Sequence, residues 1–168
     1  EGTSASYALN AILTDNIDLG GHEWTAIGVV TDTSAKKGYI GTFDGNGKTI
    51  SNLNPIGSSV ESYGRVSING AGLFGYVYTG GVIKNVTVEG TLAAVKFSGG
   101  IVAILANGTV ENCISKLTIT LHPDCTDGYD IGGIVGSMKD YTSKTAYVVG
   151  CRNEGNITIG DAGRYVGG

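Results

Sequence analysis

Ala71-Gly72-Leu73-Phe74-Gly75, Gly99-Gly100-Ile101-Val102-Ala103 and Gly132-Gly133-Ile134-Val135-Gly136 are three copies of one element, and Val166-Gly167-Gly168 begins a fourth. From Gly72 to Gly100 is 28 residues, from Gly100 to Gly133 is 33, and from Gly133 to Gly168 is 35. A recurring period of this size marks a chain built from stacked supersecondary units, none of which can bury its apolar face alone. A second column runs in phase with the glycines: Ile50-Ser51-Asn52-Leu53, Ile83-Lys84-Asn85-Val86, Val110-Glu111-Asn112-Cys113 and Val148-Val149-Gly150-Cys151. Six residues beyond the anchors Val86, Cys113 and Cys151 lie Leu92, Ile119 and Ile157, a third column.

The local pattern is β. Cys113, Ser115, Leu117, Ile119 and Leu121 alternate with Ile114, Lys116, Thr118 and Thr120, the period of a half-buried strand. Short strands at this spacing predict an all-β solenoid of about four to five coils, with equivalent strands stacked in parallel about 4.8 Å apart. Asn52, Asn85 and Asn112 suit a sharp corner, because Asn tolerates the left-handed conformation, and their amides are positioned to ladder from coil to coil. Gly150 fits the same corner. A β-propeller is the rival repeat fold, but its blades need a hairpin signal at every step.

Length predicts one domain over residues 1–168. Residues 1–24 are expected to supply an N-terminal cap and first strand, and residues 25–168 the repeating coils, the last of them truncated. A coil ending at Gly168 is expected either to continue in a longer protein or to meet another subunit. Glu1 reads as the start of a mature fragment. Glycine is 29 of 168 residues, concentrated in the repeat columns. A net charge of −4 without a Lys/Arg cluster argues against nucleic acid. No apolar run reaches the ~20 residues needed to span a membrane. Cys113 and Cys151 share a column, and the reading favoured is two small buried apolar side chains, with a disulfide as the alternative.

Gly72-Leu73-Phe74-Gly75, Asn16-Ile17-Asp18-Leu19, Trp24-Thr25-Ala26-Ile27-Gly28 and the run from Gly41 to Leu53 together resemble the GLUG-motif repeats of bacterial surface proteins. The resemblance extends from about Ile12 to Gly168. It implies a right-handed parallel β-helix of the pectin-lyase-like kind, an extracellular or cell-surface location, and a role in adhesion. It supplies no catalytic residues. The chain departs from the pattern at Ala103 and Gly150, in the insertion His122–Asp130 and in the longer loop Ser137–Tyr147.

Catalysis is not expected. Glu89, Lys116 and Glu154 fall in one column as a surface charge ladder, and Lys84 pairs with Glu111; neither arrangement is the accessible carboxylate pair that glycosidic chemistry requires. Asp124, Asp127 and Asp130 crowd one loop and are candidate calcium ligands, without EF-hand spacing; a solvated acidic turn is the alternative. The two long loops carry Tyr129, Tyr141, Tyr147, Asp127, Asp130 and Lys139, as a candidate binding surface with ordinary loop composition as the alternative. Rings beside carboxylates suit sugars, since rings stack on C–H faces and carboxylates accept hydroxyl protons. The residues therefore favour a non-catalytic module that binds glycans or host matrix. A spacer that associates end to end, and a glycan-degrading enzyme, are the alternatives.

Overall fold

The computed structural model describes residues 8–28, 38–55, 58–62, 65–125, 128–139 and 145–168. Within them the chain is all-β, apart from short 3-10 turns such as Gly160–Ala162. Almost every pairing is parallel, and each strand's neighbour lies one sequence repeat away.

The largest sheet is built on β4 (Thr42–Pro55) and β8 (Val82–Ala94). On one side of them lie β1 (Ala11–Ile12), β2 (Ile17–Asp18) and β3 (Glu23–Trp24), all paired with β4. On the other side β11 (Thr109–Glu111) and β12 (Ile114–Leu121) pair with β8, followed by β15 (Tyr147–Val149), β16 (Arg152–Asn153) and β17 (Ile157–Thr158). A second sheet stacks β7 (Phe74–Val77), β10 (Val102–Ala106) and β14 (Val135–Lys139). A third stacks β9 (Ser98–Gly99), β13 (Gly128–Gly132) and β18 (Gly163–Gly167). One antiparallel hairpin, β5 (Ser58–Ser62) with β6 (Arg65–Asn69), interrupts the pattern. It was not expected: its polar alternation carries no repeat signature.

The registers match the sequence columns. Leu92, Ile119 and Ile157 face one another across three strands. Along β12, Ser115, Leu117 and Ile119 are buried while Lys116, Thr118 and Thr120 are exposed. Leu53, Val86 and Cys113 are fully buried in the main core, with Cys151 packed against it. Phe74, Val102 and Val135 are also in register. This brings Gly72, Gly100 and Gly133 so close to their neighbours that a Cβ on Gly100 would sit 2.2 Å from the Gly133 carbonyl oxygen. Small residues in that column are what let the backbones approach.

The corner is as expected and its partner is not. Asn52, Asn85 and Asn112 take φ of 54°, 55° and 51°, and Gly150 takes 62°. No Asn ladder forms among them: Asn52 Nδ2 donates to Asp18 Oδ1 at 2.8 Å and Asn85 Nδ2 to Asp44 Oδ1 at 3.0 Å on the preceding strands, and Asn112 Nδ2 donates to its neighbour Glu111 Oε1 at 3.4 Å. A charged acceptor makes the stronger bond. The charge ladder forms by half. Lys116 pairs with Glu89 at 3.1 Å, but Glu154 pairs with Arg152, and Lys84 reaches Asp44 at 3.2 Å.

Asn85→Ala should lower stability by about 1–3 kcal/mol, combining left-handed strain with loss of the Asp44 bond. Asn85→Gly keeps the backbone and should cost less. Leu117→Ala should cost about 2–5 kcal/mol. Denaturant unfolding of the three variants checks both orderings.

Candidate functional site

A second left-handed column exists, and it is not made of Asn or Gly. Phe97, Asp130 and Tyr165 take φ of 57°, 56° and 54°. Each precedes a residue of the register row Ser98, Ile131 and Val166, so the three are neighbours on successive strands. A left-handed Phe or Tyr costs of order 1–3 kcal/mol. At the Asn corner the chain uses residues that adopt this conformation readily; here Asp130 is of that kind as well, whereas Phe97 and Tyr165 are bulky rings. The two strained rings flanking Asp130 define the candidate site.

The adjoining sheet supplies the floor. Val77, Leu105 and Val102 of β7 and β10 point into the main core. Tyr76, Ile104 and Ala106 alternate with them and form a separate small apolar cluster, against which Tyr78 and Phe97 pack. The Tyr76 and Tyr78 rings stack with centroids 5.8 Å apart and planes 18° from parallel. Lys139 is in register with Ala106. Its ammonium lies 5.5 Å from the centroid of the Phe97 ring and 3.6 Å from Asp130 Oδ2, which also accepts a 2.9 Å hydrogen bond from Ser137 Oγ. Tyr165 is 81 % exposed. The face thus combines aromatic rings with a carboxylate whose partners hold it in place. Such an arrangement binds through stacking and hydrogen bonding.

Of the residues singled out from sequence, Asp130 belongs to this face. Its strand β13 begins inside the expected insertion, and Ser137 and Lys139 belong to β14 where a loop was expected. Tyr147 lies on β15, in the other sheet, and is 55 % exposed. Tyr129 pairs with Arg164 between β13 and β18. Asp127 and Tyr141 lie outside the described residues. Asp124 is exposed, its backbone N–H donating to His122 Nδ1. Among the described residues no three His, Cys, Asp or Glu side chains gather as a metal would require. Phe97, Tyr165 and Ser137 escaped the sequence reading, whereas Lys139 was among the polar residues of the two loops. One signal was available: Phe97, Asp130 and Tyr165 each stand two residues before a Gly-Gly pair.

Asp18 and Asp44 are held below the usual carboxylate range, chiefly by the Asn52 and Asn85 amides and next by the backbone N–H groups of Gly20 and Asn46. Both brace corners of the large sheet.

No protein-family model and no solved structure matches the chain. Two proteins resemble it in sequence. Halomucin of Haloquadratum walsbyi is 33% identical over 129 residues, covering 77% of this chain. Immunoglobulin A1 protease of Streptococcus pneumoniae is 32% identical over 169 residues, covering 93% of it. The chain spans 1% of the length of the first and 8% of the second. No helix in the described residues is long and apolar enough to cross a membrane.

Because Asp44 is depressed in the folded state, its stabilisation is present above the unfolded value of 3.8 and is lost as pH falls through the lower folded value. Asp44→Asn should therefore reduce stability at neutral pH and flatten the acid limb of the stability profile below pH 3.8. Thermal unfolding at stepped pH is the measurement.

Proposed function

We propose that the chain is a non-catalytic repeat module of an extracellular or cell-surface protein, wound as a right-handed parallel β-helix of the GLUG-repeat kind and serving adhesion through a glycan-binding lateral face. The observation that carries the binding role is the Phe97–Asp130–Tyr165 column, left-handed throughout, with Phe97 packed against the Tyr76 and Tyr78 cluster and covered by Lys139. Phe97 and Tyr165 give ring faces for the C–H surface of a sugar and Asp130 and Lys139 an acceptor and a donor for its hydroxyl groups, while the buried Tyr76 packs under Phe97 and the buried Ser137 holds Asp130. The winding is supported by parallel pairing at one-repeat offsets in three sheets. The extracellular setting is supported by the names of the two similar proteins, halomucin and an immunoglobulin A1 protease, the second named for an extracellular substrate.

A second reading is a self-stacking spacer, favoured by equivalent strands that pair in parallel at one-repeat offsets, an arrangement that extends by adding repeats.

A glycan array probed with the purified chain, with calcium and with chelator, separates the readings. Saturable binding should fall at least tenfold in Tyr165→Gly, while that variant's stability stays level or rises by up to about 1 kcal/mol because glycine relieves the left-handed strain. Tyr147→Ala on the other sheet should leave binding unchanged. Absence of binding to any glycan, with end-to-end oligomers in light scattering, would sink the adhesion reading in favour of the spacer. Calcium dependence would bring Asp124, Asp127 and Asp130 back as ligands.

A further inference from the structure

Lys139 ends β14 and leans back onto an earlier repeat. Its ammonium stands over the Phe97 ring, 5.5 Å from the centroid, and 3.6 Å from Asp130 Oδ2. A ring face and a carboxylate that meet one ammonium are the contacts by which proteins recognise a cationic ligand. Here the chain's own lysine fills the place. Phe97 lies within the stack. On one side a Cβ on Gly70 would sit 2.4 Å from the Phe97 carbonyl oxygen, and the Gly99 N–H donates to the Ala71 carbonyl at 2.9 Å. On the other side β13 pairs with β9. The half-exposure of Phe97 is therefore lateral and owes nothing to either end of the stack.

The cradle is fixed and its occupant is loose. Asp130 is held by a left-handed backbone that Asp adopts readily, and by the 2.9 Å hydrogen bond from the buried Ser137. Both Ser137 and Lys139 meet the same oxygen, Oδ2, and a carboxylate offers a second. The Phe97 ring packs against the cluster of Tyr76, Ile104 and Ala106. Lys139 keeps 37% of its side chain exposed, in an ion pair of the weakly held, solvent-screened kind. Its ammonium is thus the exchangeable member of the group.

We propose that Phe97 and Asp130 form a subsite for a protonated primary amine, that the ligand is a glycan bearing an unacetylated amino sugar, and that Lys139 is its intramolecular competitor. This rests on the glycan-binding reading above and names the class of sugar. On binding, the sugar's ammonium replaces that of Lys139 beside Asp130, and its C–H face covers the ring. An amino sugar supplies both contacts from one rigid ring, three N–H donors and an apolar face. The net charge of −4 draws a cationic glycan toward the chain. N-acetylation removes the charge, so an acetylated sugar forfeits the Asp130 contact. Lys139 sets the affinity: a ring uncovered about a tenth of the time binds about tenfold more weakly than a bare one.

The test titrates the 168-residue chain with a glucosamine tetramer and with its N-acetylated counterpart in about 0.15 M salt, by calorimetry and by NMR of the Lys139 side chain. The Lys139 ε-protons should start at high field under the Phe97 ring current and return to the ordinary lysine position as the glucosamine tetramer saturates the chain. Lys139→Ala should tighten binding by about tenfold, whereas Lys116→Ala, the same charge change on the large sheet, should not. Asp130→Asn keeps the left-handed backbone and should abolish binding, whereas Glu89→Gln should not. Lys139 protons that stay in place at saturation, equal affinity for the acetylated tetramer, or an equal gain from Lys116→Ala would overturn the proposal; saturable binding of a neutral glycan would in that case leave the adhesion reading standing. Equal affinity for a lysine-bearing peptide would overturn the sugar assignment. No binding of any glycan by the native chain or by Lys139→Ala would overturn both. The NMR titration uses the unsubstituted chain and so decides even where a variant folds poorly.

Discussion

Parallel backbone pairing at an offset of one repeat is the constraint on which the rest of this molecule depends. Strands of the large sheet find their hydrogen-bond partners on an equivalent strand of another repeat, and apart from β3 with β4 that partner is not the next strand in the chain; the same holds in the two smaller parallel sheets. Parallel strands also leave both faces to be dealt with. One face becomes the core of Leu53, Ile83, Val88, Leu117, Ile119 and Ile131. The other is free to carry chemistry. The close approach at Gly72, Gly100 and Gly133 and the corner at Asn52, Asn85, Asn112 and Gly150 serve that pairing, the first by removing side chains and the second by turning the backbone at little strain.

Two left-handed columns then do different work. The Asn column is built from residues that adopt the conformation cheaply, and its amides are anchored on Asp18 and Asp44. The Phe97–Asp130–Tyr165 column costs conformational energy at Phe97 and Tyr165. Strain at such positions is the ground for the functional proposal. Its position beside the Tyr76 and Tyr78 stack gives the proposed lateral binding face an aromatic floor, and the ion pair of Asp130 with Lys139 sets where the polar groups lie.

Much of the fold was legible because repetition amplifies weak signals. One Asn-Leu or Gly-Gly pair says little; the same pair recurring in phase with an aliphatic column specifies strand, corner and register together. The hairpin Ser58–Asn69 carried no such repetition and escaped. The segments His122–Asp130 and Ser137–Tyr147 flank one Gly-Gly column and meet where Asp130 contacts Ser137 and Lys139. Tyr147 lies on a different sheet, because the corner after β14 sends the next strand onto another face.

The sequence alone determined the β character, the period and the inward columns, because these follow from side-chain alternation and from residues that tolerate corners, both local properties. Only the tertiary structure decided which polar groups meet. Asn85 finds Asp44 41 residues away, Lys139 covers Phe97, and Cys113 meets Cys151 across a corner. Those partners are chosen by the register between repeats and by which neighbouring strand each side chain leans toward. Spacers of variable length hide the first from the sequence, and only packing settles the second.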